Sequence, residues 1–406
     1  MKNLKRISLN NDLQLLISAY GEFLCEYGIF HRTMLEFPNT FGYDEIKKNI
    51  DKNLSELRRY SPDSNLEKLL LHQMEFAYGV FECFSDYYFM FPEKPIDELL
   101  KKIFGNSILD DAEEMIRHLD YRKIWDYYKL EDRYSHQRIT LYNNELDEKI
   151  RKVFDHIKRS AVQWGVERDI IPEGLQIEIE LSSFGNGSNY DPETKRIEID
   201  RNYFLVFSDG AEKKINPLLV IPTVFHEFFG HALNGVYSEQ LPLPFQADWN
   251  ADPQIFNKSV SEGIAGIAAE WSLELIEERK DEFNINDQDI TYLKELLKIN
   301  PIMSMISGYF GYLRFKGAED PDFNPTEKLI EISNNRGFAY NMSQQRIPDM
   351  QKLIYQISSY RGKSLVRSVY NDLIAQGKDV ATADKAILSA NSGLHIYKEL
   401  VGSITS

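Results

Sequence analysis

The segment His226-Glu227-Phe228-Phe229-Gly230-His231 constrains this chain more than any other. Two imidazoles bracket one carboxylate inside an apolar run, Val220 to Leu233, that reads as a buried helix. Metal-dependent hydrolases need this set: two neutral nitrogen ligands and an acid beside the activated water. In the common H-E-x-x-H pattern the ligands stand four apart, whereas here they stand five apart. Around a regular helix, positions four apart lie ~40° from each other and positions five apart ~140°. A regular helix would therefore aim the two rings in different directions. Widening the local turn to an i→i+5 hydrogen bond, a π-bulge, brings them back to one face, and Gly230 eases the irregular backbone. The spacing thus predicts a metal helix with one extra residue looped into its active turn. Two ordinary histidines on a core helix would satisfy the same letters, and only the flanking sequence separates the two cases.

Upstream, Leu175 to Leu181 alternates apolar and polar residues as a half-buried strand does, and Arg196 to Asp200 resumes the alternation. The turn-rich stretch Ser182–Glu193 lies between them, which predicts a hairpin or small sheet ahead of the metal helix. The edge of such a sheet can hold an extended peptide by strand addition. Asn216-Pro217 is a good N-cap and first-turn pair, with Pro222 pointing to a later helix start. Downstream, Ser259 to Trp271 reads as a second helix whose small residues, Gly263, Ala265, Gly266 and Ala269, permit close approach to another helix. Glu262 on that helix is the candidate third ligand. A solvent-facing acid near a helix N-terminus would look the same, and Asp248, Asp252 and Glu239 are weaker substitutes. Glu270, two turns on, is a candidate to hydrogen-bond a ligand imidazole from behind.

These motifs carry a family resemblance. HEFFGHAL, His226 to Leu233, resembles the HEFGHAL-type segment of the thimet oligopeptidase and carboxypeptidase Taq families with one residue inserted. Glu262 to Trp271 is similar to their following helix, which carries a glutamate ligand. The H-E-x-x-G-H spacing itself resembles dipeptidyl peptidase III. Gln356 to Lys363 resembles the tyrosine-rich segment with which such oligopeptidases steady an oxyanion, which implies that role for Tyr360. The resemblance implies a gluzincin-type zinc peptidase: His226, His231 and Glu262 hold one Zn²⁺, Glu227 is the general base, and Arg361 is a candidate to seize a substrate carboxylate. It also implies a two-lobed helical zincin with a central cleft.

Helical periodicity fills most of the remainder. Leu13, Leu16, Ile17, Tyr20, Phe23, Leu24 and Tyr27 recur at helical steps, as do Ile46, Ile50, Leu54 and Leu57. Longer runs are Leu66–Phe89, Ile96–Phe104, Asp111–Tyr128 and Arg138–Trp164, the last stopped by Gly165. After the metal region come Asp287–Ile299, Ile302–Phe315, Pro348–Ala375 and Thr382–Ala390, with loops expected at Ala318–Pro325 and Asn334–Ser343. The fold class expected is mainly α with a small β-sheet next to the active-site helix. Residues 1–165 would form an N-terminal helical lobe and 166–406 a catalytic lobe, unless the chain is one continuous domain. The aromatic run from Phe76 to Phe91 fits either a helix–helix core or a groove, and the core use is the commoner.

Composition narrows the class further. At 406 residues and 43% hydrophobic content the chain can bury a large core. Its two cysteines, Cys25 and Cys83, give no disulfide framework, which predicts a cytoplasmic setting. Met1 to Arg6 is basic, but no apolar signal core follows, and no window reaches the ~18 apolar residues of a membrane span. A net charge of −16 disfavours nucleic acid. The expected partner is a peptide substrate, with oligomeric state left open. A zinc hydrolase of a non-peptide amide and a catalytically silent helical scaffold are the competing readings.

Overall fold

The computed structural model describes residues 11–34, 43–63, 65–81, 95–126, 129, 144–182, 187–209, 212–239, 254–344 and 350–389. The chain is mainly α-helical with a little β-structure beside the metal segment. Before the sheet come α1 (Asn11–Met34), α2 (Tyr43–Leu57), α3 (Asn65–Phe81), α4 (Ile96–Phe104), α5 (Ile108–Arg117) and α6 (Asn144–Glu167). α4 shows why such segments fold as helices. Ile96, Leu99, Leu100, Ile103 and Phe104 recur at three- and four-residue steps and are all buried, while Lys101 and Lys102 stay outside. The run expected over 111–128 breaks at residues 118–120. Gly165, expected to end a helix, lies inside α6. A β-carbon there would sit 2.7 Å from Phe229, so this glycine serves close packing and not termination.

The small sheet differs from the expected hairpin. β1 (Glu178–Leu181) and β3 (Arg196–Ile199) pair in parallel, and the antiparallel partner of β3 is β2 (Asn189–Asp191), giving the order β1-β3-β2. β2 falls within the stretch read as turn. The reversal after it is an Asx turn in which Asp191 accepts from the Glu193 N–H at 2.9 Å and from the Thr194 hydroxyl at 2.7 Å. A second antiparallel pair follows, β4 (Leu205–Asp209) and β5 (Glu212–Asn216).

The metal segment is one continuous helical rod of three parts: α7 (Val220–Phe225), a π-helix (His226–Ala232) and α8 (Leu233–Ser238). The widened turn demanded by the five-residue spacing is therefore present at the motif. Behind it the rings of Phe225, Phe229 and Trp164 pack with centroids 4.8–5.2 Å apart. Ring pairs of this kind add ~0.5–1.5 kcal/mol each beyond area burial.

α9 (Gln254–Arg279), α10 (Asp287–Glu319), α11 (Pro325–Ser333), α12 (Arg336–Ser343), α13 (Met350–Ala375) and α14 (Val380–Leu388) complete the order. Asn286 caps α10 in a capping box with Asp289, and Asp289 also accepts from the buried Asn216 side chain at 3.0 Å. That contact ties the start of α10 to the start of the metal segment. Residues 334–343, expected to be a loop, are mostly α12, with Asn335 accepting from Phe338 N at 3.0 Å as its N-cap.

The buried apolar residues gather in two cores. One takes residues from 124–299 and 366–388, the other from 13–116 and 305–357. The second core thus draws on chain from both sides of residue 165, and α10 and α13 each run from one core into the other. Among the described residues no helix is long and apolar enough to cross a membrane. Asp248, Asp252, His395, both cysteine side chains, the Phe76 side chain and the aromatic run beyond Tyr78 lie outside the described residues and side chains. Tyr78 is 1% exposed, a core residue stacked edge-on to Tyr20.

α10 was expected as two helices broken near Pro301, yet it passes through that proline unbroken. Proline cannot donate to the carbonyl four residues back, here that of Leu297. The Lys363 ammonium from α13 donates to that carbonyl at 2.8 Å and pairs with Glu270 at 2.8 Å. Lys363→Met removes the donor and leaves the carbonyl orphaned, so it should cost about 1–3 kcal/mol of stability. Chemical denaturation measures this, and an unchanged midpoint would show that water satisfies the carbonyl instead.

Candidate metal centre

Two helices supply the candidate ligands that come together. His226, Glu227 and His231 project from the π-helix, and Glu262 projects from α9. Helix α9 lies hard against the π-helix because both contribute small residues at the crossing. A β-carbon on Gly230 would fall 2.3 Å from Ala265 Cα, so the two backbones touch there. On the other side of α9, a β-carbon on Gly263 would fall 2.5 Å from the Gly362 carbonyl of α13. Glu262 is thereby delivered over the two imidazoles, and α13 is brought within reach of the same place.

His226, His231 and Glu262 form the group that could hold a metal ion, with one donor atom from each inside a 4.8 Å span. The two Nε2 atoms are 3.3 Å apart. Glu262 Oε2 lies 3.8 Å from His226 Nε2, and Glu262 Oε1 lies 3.7 Å from His231 Nε2. Two donors each ~2.0–2.1 Å from a tetrahedral ion stand ~3.3–3.4 Å from each other. The imidazole pair already has that separation, and each carboxylate oxygen lies within 3.8 Å of one ring nitrogen. The residues fit a four-coordinate ion with one place left open.

The His231 ring is held from behind. His231 Nδ1 is 2.9 Å from the Ser261 hydroxyl, which holds one ring nitrogen and leaves Nε2 for the ion. Glu262 is 5% exposed at its side chain, His231 16% and His226 30%, so the site opens to solvent on the His226 side.

That open side is a cleft of about 420 Å³. His226, Glu227 and Tyr355 line it together, and Ser188, next to edge strand β2, borders it. Glu227 is 6% exposed, in keeping with a carboxylate at the inner end of the cleft. The Tyr355 hydroxyl donates to Glu262 Oε2 at 3.4 Å. Enclosure of that hydroxyl, then the nearby Glu262 and Glu227 charges, raise the phenol above its ordinary value and keep it a proton donor.

The other sequence candidates lie elsewhere. Tyr360 packs against the second apolar core, and Tyr355 from the same helix takes the place beside the ligands. Five residues on a regular helix turn the side chain by ~140°, so choosing between the two needs the rotation of α13. Arg361 pairs with Asp111 at 3.5 Å. Glu270 pairs with Lys363 and Arg367, and the partner of the ligand imidazole is Ser261. Glu239 pairs with Lys195 at 3.7 Å. Of the other histidines, His118 pairs with Glu114 and His156 with Glu282. Sequence reasoning missed Ser261 and Tyr355. The one available signal for Ser261 was a hydroxyl directly preceding the ligand carboxylate.

No protein-family model matches the chain, and no curated protein is similar to it. Among solved structures it is similar to a candidate lipoprotein of unknown function from Shewanella oneidensis. That likeness has 11% identity, covers 89% of this chain and 72% of the other, and has a TM-score of 0.45. A candidate lipoprotein from Colwellia psychrerythraea matches at 12% identity over 100% of this chain and 69% of the other, with a TM-score of 0.46. Neither likeness informs the activity.

Ser261→Ala should lower metal affinity by about 10–100-fold while the helices stay folded. Competition between the protein and a chromophoric chelator for zinc measures this directly. Unchanged affinity would remove Ser261 from any part in orienting His231.

Proposed function

We propose that the protein is a zinc-dependent peptidase acting on short peptides. One observation carries the reading: two imidazoles and a carboxylate converge at metal-ligand spacing on a π-distorted turn, and Glu227 of that turn lines the same cleft. Zinc is the ion that two imidazoles and one carboxylate most often hold with a position open. When bound, it supplies Lewis acidity toward a carbonyl and lowers the pKa of water to near 7.

The chain's own residues do the rest. Glu227, enclosed and adjacent to His226, accepts the proton of the attacking water and returns it to the departing amine. Tyr355 donates a hydrogen bond to the oxygen on which negative charge builds. Ser261 fixes the His231 ring, and Glu262 completes the anionic side of the ligand set. Edge strand β2 beside the cleft supports an extended peptide lying antiparallel or parallel to it. A cavity near 420 Å³ is in the range of small-ligand sites and supports a substrate of a few residues. Two cysteines in 406 residues agree with a reducing, cytoplasmic setting.

The test is chelator-sensitive cleavage of a mixed peptide library by the zinc-loaded chain, read by mass spectrometry. Glu227→Gln should abolish cleavage with zinc still bound. Cleavage that persists in this variant would reject Glu227 as the base. Tyr355→Phe should lower kcat by about 10²–10³-fold with little change in zinc content, whereas Tyr360→Phe should leave kcat near the parent value. The reverse order of the two tyrosine variants would reassign the oxyanion donor.

A further inference from the structure

The cleft beside the ligands is unequal in its chemistry. Along α10, Leu293, Leu296, Leu297 and Asn300 follow the i, i+3, i+4, i+7 spacing of a single helix face, and all four line the cleft. The facing wall comes from the rod that carries the motif: Leu219, Pro222, Thr223 and His226 share the same spacing and line it too. Two helix faces therefore oppose each other, joined at one end by the Asn216–Asp289 hydrogen bond of 3.0 Å. Leu293, Leu296 and Leu297 make the α10 wall apolar up to the exposed Asn300, and Leu219 and Pro222 add apolar surface opposite. Thr223, His226, Glu227 and Tyr355 bring polar groups to the rest of the lining.

Leu296 and Leu297 pack against the core from one side and are only half-buried. Apolar surface held open between two rigid helices is a binding feature in itself. Among the described lining residues there is no lysine, arginine or aspartate. An acidic side chain entering here would lose its hydration against leucines and would meet no lysine or arginine among the described lining residues. A bulky aliphatic or aromatic group gains from the same surface.

Resting on the peptidase reading, we infer that the cleft selects a large apolar side chain next to the bond it cleaves, and that the leucine face of α10 sets this preference. The Lys363 contact to the Leu297 carbonyl, at 2.8 Å, holds that face in helical form across Pro301. The preference is thus built into a rigid wall and not into a loop.

Binding tests this without relying on turnover. The zinc-loaded protein is titrated by calorimetry with acetohydroxamic acid and with 4-phenylbutanohydroxamic acid, which share the metal-binding group and differ in the apolar tail. The tailed compound should bind about 10–100-fold tighter. Leu296→Asn should bring the ratio close to one, and the milder Leu296→Ala should reduce it if the first variant folds poorly. In the peptide library, leucine, methionine and phenylalanine should be enriched beside the cleaved bond. Equal affinity for the two hydroxamates would overturn the inference while zinc uptake and peptide cleavage stand. A preference that survives both variants would overturn the assignment to α10. A chain that takes up no zinc would overturn the peptidase reading, and the inference with it.

Discussion

At Gly230 and Ala265 the backbone of the π-helix rests directly on the backbone of the next long helix, and the convergence of His226, His231 and Glu262 depends on that contact. A side chain of even one carbon at position 230 would meet Ala265 Cα at 2.3 Å. The helices would have to part, and Glu262, one turn away on α9, would move off the imidazoles. The same helix is held from behind by Gly263 against Gly362. Three elements that are distant in sequence are thus stacked at backbone contact, and each carries one part of the candidate site: the imidazoles with Glu227, the Glu262 carboxylate, and the Tyr355 phenol.

The π-helix is a local cost, since its wider turn replaces regular i→i+4 bonds. The opposite face of the same turn offsets it. Phe228 and Phe229 are fully or almost fully buried, and Phe229 packs among Phe225, Trp164 and Trp271. Fully burying one large apolar side chain contributes ~1.5–3 kcal/mol. The apolar letters between the two histidines are therefore part of the site's design. They anchor one side of a distorted turn so that the other side can present two rings to a common point.

Much of this was legible in the residues. The five-residue spacing implied the π-distortion, because no regular helix aligns those rings, and the structure has it. The small residues of the helix after it implied close approach, which Ala265 and Gly263 provide. Alternation located β1 and β3, but strand direction is a tertiary property, and the parallel pairing was invisible. So was β4–β5, although Asp209-Gly210 is a hairpin signal. Pro301 reads as a helix breaker until Lys363, far along the chain, supplies the missing donor. The choice of Tyr355 over Tyr360, and of Ser261 over Glu270, rests on helix rotation and on ion pairs made elsewhere. Local sequence does not contain either.

The most direct measurement is anomalous diffraction at the zinc edge from crystals grown with zinc. The account predicts a single strong peak within about 2.0–2.2 Å of His226 Nε2, His231 Nε2 and a Glu262 carboxylate oxygen, at full occupancy. No peak there under zinc-replete conditions, or a peak held by other side chains with the two imidazoles turned apart, would contradict it.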